Sequence, residues 1–173
     1  VSSRYMSLFF LTLPVIGICE RYGLRERAMT MIGDMKVVTT GKLLSVYLFI
    51  REIAAAMSLR LGGHPQFIRP LVEPMAQGAA EKSGHVSEEL QDEIKGAAAA
   101  AENYGNFFAQ NVFYASGGVL LVVRTLTDAG FELTALTVSM WSIPVAIVAF
   151  IVAFFQFRLL DKKIENASKR GGQ

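Results

Sequence analysis

Apolar positions in this chain run in long blocks, not in the short alternations of a soluble domain. The clearest block is residues 133–157, "LTALTVSMWSIPVAIVAFIVAFFQF", which carries no charge. About 20 apolar residues suffice for a helix to cross a hydrocarbon core about 30 Å thick, so this block predicts a transmembrane helix. Pro144 inside it is tolerable at membrane depth where neighbours satisfy the freed carbonyl, and Trp141 suits an interface. Residues 107–123, "FFAQNVFYASGGVLLVV", predict a second membrane helix. Residues 43–59, "LLSVYLFIREIAAAMSL", predict another, and after "GGH" the chain continues as "PQFIRPLVEPMAQGAA". Residues 5–19, "YMSLFFLTLPVIGIC", are apolar but short for an untilted span. They read as the tail of a span, or as a whole one with snorkelling flanks.

The polar segments set direction. Arg21, Arg25, Arg27, Lys36 and Lys42 follow the first block, and Arg158, Lys162, Lys163, Lys169 and Arg170 follow the last. Cytoplasmic flanks carry the excess of Lys and Arg, so both belong inside. Residues 133–157 then run outside to inside, "RTLTDAGFE" lies outside, and residues 107–123 run inside to outside. Residues 43–80 must therefore enter and return to the same side, as two full crossings or as a re-entrant hairpin. Pro65, Pro70 and Pro74 each remove a backbone donor, which predicts a broken return element. Irregular backbone at membrane depth persists only where protein buries it or a wet cavity bathes it. The return is thus read as lining a cavity. Residues 87–103, "SEELQDEIKGAAAAAEN", predict a helix with Ser87 as N-cap and Glu88 and Glu89 at the positive end of its dipole. The expected fold is an all-α integral membrane protein, residues 1–173 forming one polytopic domain. It has a cytoplasmic hydrophilic segment at 81–96 and a basic cytoplasmic tail at 158–173.

Composition agrees. Apolar residues make up 52 % and charged residues 18 %, against about 45–50 % and about 25 % in soluble domains; the mean hydropathy is +0.37. A net charge of only +2 gives no reason to expect nucleic acid as a partner. A single cysteine, Cys19, rules out an internal disulfide and reads as a packing residue. No basic n-region with a cleavage site marks residues 5–19 as a signal peptide. His64 and His85 stand without HExxH or CxxC spacing, and no GxSxG, Walker A or dinucleotide fingerprint occurs. Glu20, Glu52, Glu73 and Glu102 have no spacing that asks for an acid–base pair. Neither an enzyme nor a metal or cofactor is expected.

Some polar residues stand where a membrane makes them costly. Arg51 and Glu52 interrupt an apolar helix; a charge at the centre of a membrane helix costs at least about 2.5–3.5 kcal/mol, so each needs a partner or water. Adjacent helical residues point about 100° apart, so the two need not pair with each other; ion pairs to other helices are the plainer alternative. Arg69 and Glu73, four apart, form either a local ion pair or leave Arg69 for an anionic solute. Gly62, Gly63 and His64 sit at the turn, where free N–H groups and helix starts at proline suit a carboxylate. Histidine changes charge near neutral pH, which places His64 as solute ligand, proton carrier or plain turn donor. Asn103, Asn106, Gln110 and Tyr114 recur at three- and four-residue spacing and share a face, with Asn111 beside it. Amides donate and accept, as recognition of a small polar solute requires; the alternative is interhelical bonding worth about 0.6 kcal/mol each. Gly105, Gly117 and Gly118 permit a break or a close helix approach.

Three motifs, "LPVIGICERYGLRERA", "GGHPQFIRPLVEPMAQGAAE" and "AENYGNFFAQNVFYASGGVLLV", together resemble a bacterial membrane family. Formerly a domain of unknown function, it is described as the smaller subunit of a two-subunit 5-oxoproline (pyroglutamate) transporter related to the ion-transporter superfamily. The resemblance runs from about residue 8 to residue 160. It implies a larger polytopic partner subunit encoded nearby, re-entrant hairpins and broken helices at the substrate site, and the bacterial inner membrane. Gly62, Gly63, His64, Pro65, Arg69, Pro70, Glu73, Glu102, Asn103, Gly105 and Asn111 fall on its motif positions. The family carries further hydrophobic sequence before residue 5, so N-terminal helices of the family are expected to be missing here.

The function expected is a multi-pass permease subunit with a cytoplasmic C-terminus, moving a small anionic solute by alternating access. The resemblance makes 5-oxoproline that solute. The broken "GGHPQFIRP" element and Arg69 would meet its carboxylate, and Asn103, Asn106, Gln110 and Asn111 its ring amide. Coupling to H⁺ or Na⁺ stays open, with His64 or Glu73 as proton carriers and backbone carbonyls for Na⁺. The rival is a structural or regulatory subunit whose partner carries the solute path.

Overall fold

A computed structural model describes residues 21–23, 39–59, 61, 63–84 and 86–171. Residues 5–19, the basic residues Arg25, Arg27 and Lys36, and Gly62 and His85 lie outside the described residues. The described elements are all helical. They are α1 (Thr40–Ala56), a π-helix (His64–Val72), α2 (Glu73–Glu81), α3 (Glu88–Ala109), a 3₁₀ turn (Gln110–Val112), α4 (Gly117–Asp128) and α5 (Ala135–Gly171).

Thr39, in extended conformation, caps α1: its Oγ1 accepts from Lys42 N at 3.3 Å. Past Ala56 the chain reverses through Ser58, whose φ of +60° is left-handed. Ser58 N donates to Ala55 O at 2.9 Å and Leu59 N to Ala54 O at 2.7 Å, so the orphan carbonyls of the helix end are answered within the turn. The return then lies alongside α1, with Thr40 Oγ1 donating to Ala76 O at 2.8 Å. Residues 40–81 thus fold back on themselves as a helical hairpin.

The return differs from the irregular element expected from its prolines. It is helical throughout, wound as a π-helix over nine residues before α2. In an α-helix the ring of Pro70 would press on the carbonyl four residues back. The wider π turn, with i→i+5 bonding, moves that carbonyl away. Pro74 sits in the first turn of α2, where no N–H is required.

Ser87 caps α3 as expected, accepting from Leu90 N at 3.3 Å. The buried positions of α3, from Leu90 through Ile94, Ala98 and Ala101 to Gly105, recur at three- and four-residue spacing. That face packs against Leu44, Tyr47 and Leu48 of α1 and Phe67 and Val72 of the return. A Cβ on Gly105 would lie 2.7 Å from Arg51 Cγ, so α1 and α3 meet at a distance only glycine permits.

The continuous span expected at residues 107–123 is not continuous. α3 ends at Ala109, and α4 leaves at 51° to the stretch Glu88–Val112. Ser139 of α5 takes up the freed carbonyls, donating to Val112 O at 2.8 Å and Asn111 O at 3.2 Å, and Ser116 caps α4 through Val119 N at 3.3 Å. Asn111 O, Val112 O and Val119 N thus find side-chain partners at the break.

Within α5, Ala135–Lys169 is long and apolar enough to cross a membrane, and among the described residues it is the single helix that is so unaided. The bent pair of α3 and α4 qualifies if taken as one broken span. Much of the apolar half of α5 faces outward: Trp141 is 74 % exposed and Phe155 61 %. The basic segment at 158–173, expected as a tail, continues α5 to Gly171 and packs back on the bundle. Asp161 accepts from Gly41 N at 2.6 Å and from Thr39 Oγ1 at 2.8 Å, and Lys163 pairs with Glu93.

Candidate functional site

Tyr47 and Arg51 stand four apart on α1 and face α3, where Glu102 and Asn106 also stand four apart. Arg51 Nε donates to Glu102 Oε2 at 2.8 Å, and Tyr47 OH donates to the same oxygen. Arg51 Nη2 donates to Asn106 Oδ1 at 2.7 Å. Three of its members are buried, Tyr47 at 1 %, Glu102 at 4 % and Arg51 at 7 % exposed, while Asn106 stands at the exposed edge. Desolvating two such charges costs several kcal/mol each, and only good geometry with further hydrogen bonds offsets it. Here the phenol and the amide supply those further bonds.

The hairpin turn lies against the same cluster. A Cβ on Gly63 would stand 4.0 Å from Glu102 Oε1, and His64 Nε2 lies 3.1 Å from Asn103 Oδ1 at the exposed rim. The fold therefore gathers Arg51, Gly63, His64, Asn103 and Asn106 around a carboxylate, Glu102. It does not gather every residue the sequence pointed to. Arg69 is exposed and, among the described residues, has no ion pair with Glu73 or any other carboxylate. Glu73 opens α2 and acts electrostatically on Lys95 of α3, whose ammonium is held above the usual lysine range chiefly by its bond to Asp92.

The amide stripe is divided by the helix break. Asn103 meets His64 and Asn106 meets Arg51, while Gln110 and Asn111 fall in the 3₁₀ turn. Asn111 lines an apolar groove of about 440 Å³ with Phe107, Phe108 and Trp141. A neighbouring groove of about 530 Å³, also flanked by Phe108, runs along α5 past Tyr104 and Val148. Arg51 and Glu52 do not pair with each other, as their angular separation implied. Glu52 is half-buried, with Oε1 buried and without a hydrogen-bond partner among the described residues. Gly62 lies outside the described residues.

Glu102 and Tyr47 are the members that the sequence reading did not place in the site. The signal was present in the four-residue spacing of Glu102 and Asn106, and of Tyr47 and Arg51. What was missing was that the two faces oppose each other. Chemically, the cluster holds one guanidinium with five donors, two of which are committed to Glu102 and Asn106. The remaining N–H groups suit a carboxylate, which would compete with Glu102 as the counter-ion. No group of three or more His, Cys, Asp or Glu able to hold a metal occurs among the described residues.

No curated protein and no solved structure matches this chain. A family described as "Protein of unknown function (DUF969)" matches residues 1–165, and the chain belongs to that family.

Proposed function

We propose that the chain is a multi-pass membrane subunit of a secondary transporter for a small anionic solute, with 5-oxoproline as that solute by the motif resemblance. The observation that carries this reading is the buried Arg51, held by Glu102, Tyr47 and Asn106 against a π-wound hairpin arm. Buried charge in an apolar bundle is expensive and marks substrate or ion pathways in membranes, and π-helical turns concentrate at functional sites. The outward apolar face of α5 supports lipid as its surroundings.

In this mechanism Arg51, not Arg69, takes the solute carboxylate, and Glu102 holds the guanidinium when solute is absent. His64 and Asn103, joined at the rim, meet the ring amide. Rocking of the hairpin against α3 exposes the cluster to either side in turn, driven by H⁺ or Na⁺. The protein sits in the bacterial inner membrane with its C-terminus in the cytoplasm, beside a larger polytopic subunit encoded nearby.

A second reading has one observation in its favour. Arg51 is already bonded on two sides within the chain, as in a purely structural cluster, with the solute path in the partner. The two-subunit reading is tested by expressing the chain with and without its genomic neighbour in cells that lack 5-oxoproline uptake, and following labelled 5-oxoproline. Uptake that requires both proteins is expected. With both present in the membrane and no uptake, the solute assignment fails.

A further inference from the structure

Where the apolar run of α5 ends, a groove of about 480 Å³ opens between the starts of α1 and the basic half of α5, and its chemistry is unlike that of the apolar grooves. Its lining includes Thr39, Lys42, Ser83, Arg158, Asp161 and Lys162. Both carboxylates of this lining are committed elsewhere. Asp161 accepts from Gly41 N and Thr39 Oγ1, and Glu165 accepts from Lys169 at 2.6 Å, a bond that holds the Glu165 carboxyl below its usual range. The cations are not committed. Lys42, Arg158 and Lys162 have no ion-pair partner among the described residues, and the Arg158 guanidinium lies 5.1 Å over the ring of Phe154.

We infer that this groove binds a phosphate anion, presented by the headgroup of an anionic phospholipid. Three cations with no carboxylate partner among the described residues focus a positive field on one concavity, and arginine with lysine is the pairing that phosphate oxygens favour. The position selects a lipid as the source. Uncharged residues 135–157 rise about 34 Å, enough to cover a hydrocarbon core of about 30 Å, so Arg158 emerges at the depth of the phosphates. Phe154, one turn back, holds its guanidinium toward the apolar half. The inference rests on α5 lying in a bilayer and is independent of the cargo.

The test measures the unfolding midpoint of the full chain in neutral detergent against added phosphatidylglycerol, phosphatidylcholine or inorganic phosphate. Phosphatidylglycerol is expected to raise the midpoint of the wild type, with phosphatidylcholine giving little. Each basic residue near an anionic surface contributes about a fivefold factor, so apparent affinity should fall about fivefold in Lys42→Gln or Lys162→Gln, and on the order of 100-fold when both are combined with Arg158→Gln. The single variants change exposed side chains and carry the test if the triple variant does not fold. A phosphatidylglycerol shift that persists undiminished in the single variants overturns the site. A full shift from inorganic phosphate alone overturns the lipid and leaves a soluble anion as the ligand.

Discussion

Replacing Arg51 with methionine is expected to destabilise the folded chain by about 3–5 kcal/mol, the usual result of removing one partner from a buried ion pair. The loss comes from what remains: Glu102, 4 % exposed, would keep its charge without the guanidinium, while the Tyr47 hydroxyl still bonds it. Glu102→Gln alone should be damaging for the mirror reason, leaving the guanidinium uncompensated. The combination of Arg51→Met with Glu102→Gln should recover most of the loss. A neutral amide still accepts from Tyr47 and carries no charge that needs a counter-ion, so the main cost of each single variant is removed. Unfolding midpoints of the three variants in one detergent check this, and near-additive losses in the double variant would show that the pair is not coupled. The double variant also separates the two functional readings. Folded but without Arg51, it should not support uptake if Arg51 takes the solute carboxylate, and should support it if the cluster is only structural.

Gly41→Ala is expected to cost about 1–3 kcal/mol, the range for forcing extra volume into a packed contact. Its Cβ would lie 2.2 Å from Phe157 O and 2.8 Å from Asp161 Cγ. The first of these is backbone of α5, which yields only if the helix moves. Movement there would also strain the Asp161 bonds to Gly41 N and Thr39 that tie α5 to the start of α1. Gly78→Ala is the matched control. Nothing stands within 4 Å of its added methyl, and alanine gains up to about 1 kcal/mol over glycine inside a helix. Its midpoint should hold or rise while that of Gly41→Ala falls; equal behaviour would mean that α1 and α5 are not in contact at this point.

What was legible in the sequence was local or periodic. The Ser87 cap, the buried face of α3 and the apolar run of α5 follow from residue types at helical spacing. What was not legible depended on partners far along the chain. Arg51 and Glu102 are 51 residues apart, and nothing in either neighbourhood says that their faces meet. Arg69 was read as a partner of Glu73 or of an anionic solute; on the helical return it is exposed and, among the described residues, forms no ion pair with Glu73. The break after Ala109 was invisible to hydropathy, since residues 110–116 are flanked by apolar runs; it depends on Ser139 receiving the freed carbonyls. Prolines announced an irregular return, but whether they produce a loop or a π turn is decided by the carbonyl each ring must avoid. The basic end of α5 read as a free tail because its contacts, Asp161 with Gly41 and Lys163 with Glu93, span 120 and 70 residues of sequence.

The most direct test of the central claim is uptake of labelled 5-oxoproline by cells carrying the proposed larger subunit with either the wild-type chain or His64→Ala, with membrane abundance measured alongside. The His64 bond to Asn103 is at the exposed rim, where substitutions usually shift stability by no more than about 0.5 kcal/mol. Abundance should therefore be unchanged and uptake lost. Uptake at the wild-type rate with equal abundance would contradict the account and move the solute path out of this hairpin.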